Sequence, residues 1–107
     1  MGLSPLYSAW YLSVLAHSQR LLGEYDEAIA AYKTSIERSP RNISAHIGLA
    51  IAYADVGRLD EARSAAGEVL GINPRFSVSK YATALTYKNS EYAERALNAL
   101  RNVGLPQ

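Results

Sequence analysis

Apolar residues return three and four positions apart along most of this chain, the spacing of one face of a helix. Leu12, Leu15, Leu49 and Tyr53 lie on such faces, in runs cut at fixed points by glycine and proline. Sliding residues 9–42 over 43–76 shows that the punctuation repeats after 34 residues. Gly23 meets Gly57, Asp26-Glu27-Ala28 meets Asp60-Glu61-Ala62, and Pro40-Arg41 meets Pro74-Arg75. Leu15-Ala16 and Ala31 likewise meet Leu49-Ala50 and Ala65, while Leu22/Val56, Tyr25/Leu59 and Ile36/Leu70 keep their character. Each copy predicts a helix hairpin. The glycine takes the left-handed conformation that ends a first helix. The carboxylates then fall in the first turn of a second helix, at the positive end of its dipole. The proline stops that helix. Ala16, Ala28, Ala50 and Ala62 are small enough to let the paired helices approach closely.

The stretch 77–105 keeps this phase less well. Lys80 and Thr83 stand where apolar residues are expected, and "KNSEY" has no inter-helix glycine. It predicts a degenerate third hairpin, with helices from about 77 to 87 and from about 90 to 103. Gly104 can terminate the last helix, Leu105 can fold back on Leu100, and Pro106 forbids continuation. The end repeat of a stack must face water on one side, so this hairpin reads as a cap.

A 34-residue helix–turn–helix with these signature residues resembles the tetratricopeptide repeat. The second copy carries Leu49, Ala50, Tyr53, Gly57, Ala62 and Pro74; the first carries Leu12, Leu15, Ala16, Gly23, Ala28, Tyr32 and Pro40. Gln19 departs from the family, which prefers an aromatic or apolar residue there, and Trp10 sits two residues before the family's usual tryptophan. The resemblance implies an all-α fold, a right-handed α-α superhelix. It would be a single domain over 1–107: repeat one at 9–42, repeat two at 43–76, and the capping hairpin at 77–105. The ending, "FSV" through "GLP", resembles the C-terminus of bacterial class III adenylate cyclase-like proteins, and repeat tails of some bacterial transcriptional regulators could end similarly. That resemblance implies a non-catalytic tail whose cyclase domain lies elsewhere, and the opening Met1-Gly2 reads as the start of a fragment.

Composition narrows the function classes. The chain has 107 residues, 49% hydrophobic and 20% charged, with a net charge of +1. Its Lys and Arg residues are scattered, so no nucleic-acid footprint is expected. No apolar run reaches the roughly 18 residues of a membrane span, so no membrane partner is expected either. There is no cysteine, which removes disulfides, thiolate metal sites and Cys nucleophiles and fits a reducing cytoplasm. His17 and His46 have no carboxylate at i+3 or i+4, so no metal or other cofactor is expected. Asp26-Glu27 and Asp60-Glu61 are explained as dipole partners, and Asn42 as an N-cap. No phosphate-binding glycine motif occurs. Gly67 and Gly71 face outward with no packing reason. Nothing here points to an enzyme.

In a repeat stack, function lies on the concave face made by the first helix of each hairpin. Helical spacing names its candidates as Trp10, Ser13, His17 and Arg20, then Ser44, Ile47, Ile51 and Asp55, then Tyr81, Leu85 and Lys88. The middle is apolar, at Ile47 and Ile51. The Lys, Asn and Arg clamp by which some relatives hold a chaperone tail is missing. The expectation is a protein-interaction scaffold for a peptide, a helix or the parent's own catalytic domain. The alternatives are that chain or a second copy covers the isoleucines, or that the repeats serve homodimerisation.

Overall fold

The computed structural model describes residues 8–84 and 90–107. Among the described residues there are six helices: α1 (Ala9–Leu21), α2 (Tyr25–Arg38), α3 (Ile43–Asp55), α4 (Leu59–Ile72), α5 (Val78–Ala84) and α6 (Ser90–Asn102). Among the described residues there is no strand. The fold is all-α and built of helical hairpins, as the repeat requires.

The punctuation works as its chemistry dictates. Gly23, Gly57 and Gly104 have φ of 83, 80 and 98°, a region open mainly to glycine. Each closes the same two-bond motif. Gly23 N donates to Arg20 O and Glu24 N to Gln19 O; Gly57 N donates to Ala54 O and Arg58 N to Tyr53 O. At the last helix, Gly104 N and Leu105 N bond to Arg101 O and Leu100 O. These bonds satisfy carbonyls that a helix end would leave orphaned. Asp26-Glu27 and Asp60-Glu61 do occupy the first turns of α2 and α4. Ser8 caps α1 by accepting from Tyr11 N at 3.1 Å. Asn42 sits at the N-cap position of α3, but its side chain makes no capping bond. That amide is used elsewhere, as described below.

α1 packs on α2 and α3 on α4, and α3 seats itself against both α1 and α2. Ala16, Ala28, Ala50 and Ala62 are all completely buried, so their smallness sets the close approach of the hairpins. From Ala45 to Tyr53 every residue of α3 is buried. A helix buried all round must be enclosed by neighbours on every side. The remaining side is closed by α6, which packs on α3 with Ala96, Leu97 and Leu100 joining the common core. A regular third repeat would put α5, the first helix of its hairpin, there instead. The reason is local: α5 carries exposed Lys80 and Thr83 where α3 carries buried His46 and Leu49. α5 lacks the apolar face that would seat it as α3 is seated, and α6 possesses one.

The glycines inside helices make opposite predictions. A Cβ on Gly48 would run into the ring of Tyr32, whereas one on Gly67 or Gly71 would meet open space. Gly67→Ala and Gly71→Ala should each stabilise by about 1 kcal/mol, the ordinary helix-propensity difference. Gly48→Ala receives the same benefit but overpacks a fully buried ring, which costs about 1–3 kcal/mol. Urea denaturation followed by circular dichroism should therefore raise the midpoint for the first two and lower it for the third.

Candidate functional site

The first helices of hairpins one and two bring the predicted stripe together. Trp10, Ser13, His17 and Ser44 share one crevice of about 290 Å³ with Val14 and Asn42. Arg20, Ile51 and Asp55 share a second, of about 190 Å³, at the other end of the α1–α3 seam. Tyr81 lies apart from both and packs on Phe76, with ring centroids 5.8 Å apart. Leu85 and Lys88 fall outside the described residues.

The stripe is not the open apolar groove that spacing predicted. Ile47 and Ile51 are only 4% and 1% exposed. Chain covers them: Ile51 lines its crevice together with Arg95 and Ala96 of α6. Ser13 and Arg20 are buried as well. Trp10 is the reverse case, 72% exposed beside the first crevice, with Val14 half-exposed next to it.

Between the crevices the seam is polar and fully wired. Ser35 Oγ donates to Ala9 O at 2.7 Å, so the shared proton in the Ser13–Ser35 contact at 2.9 Å comes from Ser13. Asn42 Nδ2 then donates to Ser13 Oγ at 2.9 Å and to Ser35 Oγ at 3.2 Å. This is where the expected cap amide is spent. One turn on, Arg20 Nε donates to the hydroxyl of Tyr32 at 3.3 Å. Arginine has no acceptor, so the hydroxyl accepts there, and it also bonds His17 Nδ1. The other ring nitrogen, Nε2, bonds Ser44 Oγ at 3.1 Å. Burial, reinforced by the Arg20 charge, pushes His17 down from 6.5 to about 4. At neutral pH it is an uncharged link between α1, α2 and α3.

At the far crevice, partial burial raises the Asp55 carboxyl above its ordinary range, an effect that Arg20 and Arg95 oppose. Arg95 and Ala96 were missed as members of this site. Their signal was the apolar stripe of α6, which is legible, although its docking place is not. His46 is buried and bonds Pro40 O through Nε2 at 2.9 Å, so it is a structural histidine, not a surface one. Among the described residues no cluster of His, Asp and Glu could hold a metal ion, and no helix is long and apolar enough to cross a membrane.

No curated protein shows significant similarity to the chain. Residues 20–86 match the family model of the tetratricopeptide repeat. That span starts at the end of α1, takes in α2 to α4 with both glycine turns, and reaches beyond α5, well over half of the chain. By fold, turn chemistry and this match, the chain belongs to the tetratricopeptide repeat family.

Proposed function

We propose that the chain is a non-catalytic protein-interaction scaffold that binds a peptide or helix on the face formed by α1 and α3. The observation that supports the reading is Trp10: a large aromatic, 72% exposed, beside an open crevice and contributing nothing to the core. Exposed aromatics next to a pre-formed concavity are the usual anchors of binding hot spots. Trp10, Val14, His17 and Ser44 form the entrance, and Arg20 and Asp55 continue the track at the far crevice, over the buried Ile47 and Ile51. Tyr81, Leu85 and Lys88 would extend it. The parent would be a bacterial, cytoplasmic signalling protein of the adenylate cyclase-like kind, with its own catalytic domain as one candidate partner. The "FSV…GLP" ending and the lack of cysteine support that finer statement.

A single tryptophan makes the test direct. A partner captured from lysate by the wild-type chain should shift Trp10 emission to the blue on titration. Trp10→Ala should weaken that binding at least about tenfold, the usual range for a hot-spot aromatic. Its melting temperature should stay unchanged, because the side chain is exposed. Equal capture by wild type and Trp10→Ala would remove this face from the function.

One observation favours a second reading, association of two copies through the outer face of hairpin one. Tyr11 is half-exposed there. A monomer in light scattering at high concentration would count against this reading.

A further inference from the structure

α3 has a second side. Ser44, Ile51 and Asp55 look toward the α1 seam. By the helical rotation of about 100° per residue, His46, Leu49 and Tyr53 lie half a turn round from them. There α2 and α4 flank α3 and leave an open groove of about 500 Å³. Its floor is half-buried Ile36 with the edges of buried Leu49, Tyr53 and Ala65. That floor is an ordinary product of the repeat. Leu15 and Ala31, 34 residues before Leu49 and Ala65, line a smaller crevice of about 270 Å³ on hairpin one.

The charges around the groove are particular to this place. At the Tyr53 end they balance. Arg58 forms a salt bridge with Glu61, and Arg58 and Lys33 lie over the Tyr53 ring, 4.8 and 5.9 Å from its centroid. At the His46 end, Glu37 of α2 and Glu68 of α4 stand exposed on opposite walls. Neither has an ion pair among the described residues, and no lysine or arginine lines that end. His46 bonds Pro40 O through Nε2. Hairpin one has Thr34 where α4 has Glu68, and that hydroxyl is bonded back to Ala30 O. The acidic end is therefore no consequence of stacking repeats.

We propose that this groove docks an extended peptide segment of a partner. An apolar side chain rests on the floor, and a lysine or arginine two residues on reaches between Glu37 and Glu68. From Glu61 to Glu68 α4 rises about 10 Å, a length that about three extended residues cover. Side chains two apart on such a segment point the same way. The apolar floor would take many occupants, and the two carboxylates select among them for a cation. A second copy offers no matching segment. Among the exposed large apolar side chains of the described residues, only Val56 has a cation two places on, and that cation, Arg58, already holds Glu61. The groove lies across α3 from Trp10, so this docking surface is independent of the track proposed above.

Nuclear magnetic resonance on the isotope-labelled full chain tests this, with acetyl-leucyl-glycyl-arginine amide as the probe. Amide shifts should gather around Glu37, Leu49 and Glu68 and leave α1 unmoved. The same peptide with glutamate for arginine should bind at least about threefold more weakly, the range that two exposed ion pairs supply together. The Glu37→Gln, Glu68→Gln double variant should bind the arginine peptide more weakly by the same factor, at an unchanged melting temperature, because both side chains are exposed. No shifts at millimolar peptide, shifts elsewhere, or equal binding of the two peptides would overturn the proposal. Phenethylamine binding as tightly as the peptide would make the groove a site for small cations. Peptide-free shifts that grow with chain concentration would give it to a second copy. Either result overturns the proposal as well. Trp10→Ala should leave peptide binding unchanged, so the scaffold reading can fail without touching this one. A loss of peptide binding in that variant would place the peptide on the α1 side and sink the outer groove.

Discussion

Tyr32→Ala is expected to leave the chain close to unfolded at 37 °C. Tyr32 is completely buried between α1, α2 and α3, edge-on to His17 with centroids 5.2 Å apart. Deleting a buried aromatic costs about 3–5 kcal/mol through lost transfer energy and the cavity left behind. The hydroxyl adds to this, since Arg20 and His17 each lose a partner inside the protein. A domain of this size has about 5–15 kcal/mol in total, so most of its margin would be spent. Tyr32→Phe separates the two contributions. It keeps the ring and removes one partner from each of the two polar groups, for an expected loss of about 1–3 kcal/mol. A double-mutant cycle adds a sharper check, because Tyr32 is what makes Gly48 obligatory. In the Tyr32→Ala background, Gly48→Ala should stop destabilising and stabilise by about 1 kcal/mol, its helix-propensity value. Additive effects of the two substitutions would mean that the ring and the glycine are not in contact. Urea titrations followed at 222 nm supply all four corners of the cycle.

What was legible in the sequence follows from where each kind of information resides. Gly23, Gly57 and Gly104 were readable because a left-handed residue is a local demand that glycine meets cheaply. The alanines at 16, 28, 50 and 62 were readable because the repeat aligns them. The destiny of polar residues was not. Ser13 and His17 looked like solvent-facing groove residues, yet their partners Ser35, Asn42, Tyr32 and Ser44 lie 15 to 29 residues away. No local pattern announces bonds across that separation. Ile47 and Ile51 failed for another reason. Their exposure was inferred from two regular copies, and the third is irregular. Lys80 and Thr83 were seen as departures, and the consequence, that α6 takes over the side of α3 left vacant by α5, depends on tertiary competition between two helices. An amphipathic stripe tells that a helix must dock and is silent on where.

The His17 link makes stability depend on pH, in a window that can be worked out. Its pKa is near 4 in the folded chain, against 6.5 when unperturbed. As pH falls below 6.5 the unfolded chain takes up a proton that the folded chain refuses until about pH 4. Stability is therefore fully present above pH 6.5, declines through that interval, and levels off below it. The full difference is about 3 kcal/mol, of which about 2 kcal/mol falls between pH 7.5 and 5. Working above pH 5 keeps ordinary carboxylates out of the comparison. Asp55, whose pKa is raised, favours the folded chain toward acid and pulls the opposite way, so the wild-type curve alone would understate His17. Subtracting the curve of His17→Gln removes Asp55 and every other shared group. Gln cannot be protonated in this range, and its amide can still bond the Tyr32 hydroxyl. The wild type should lose about 2 kcal/mol more than His17→Gln from pH 7.5 to 5, read from urea midpoints at constant salt. Parallel curves would mean that His17 picks up its proton in the folded state, and that burial beside Arg20 does not hold it neutral.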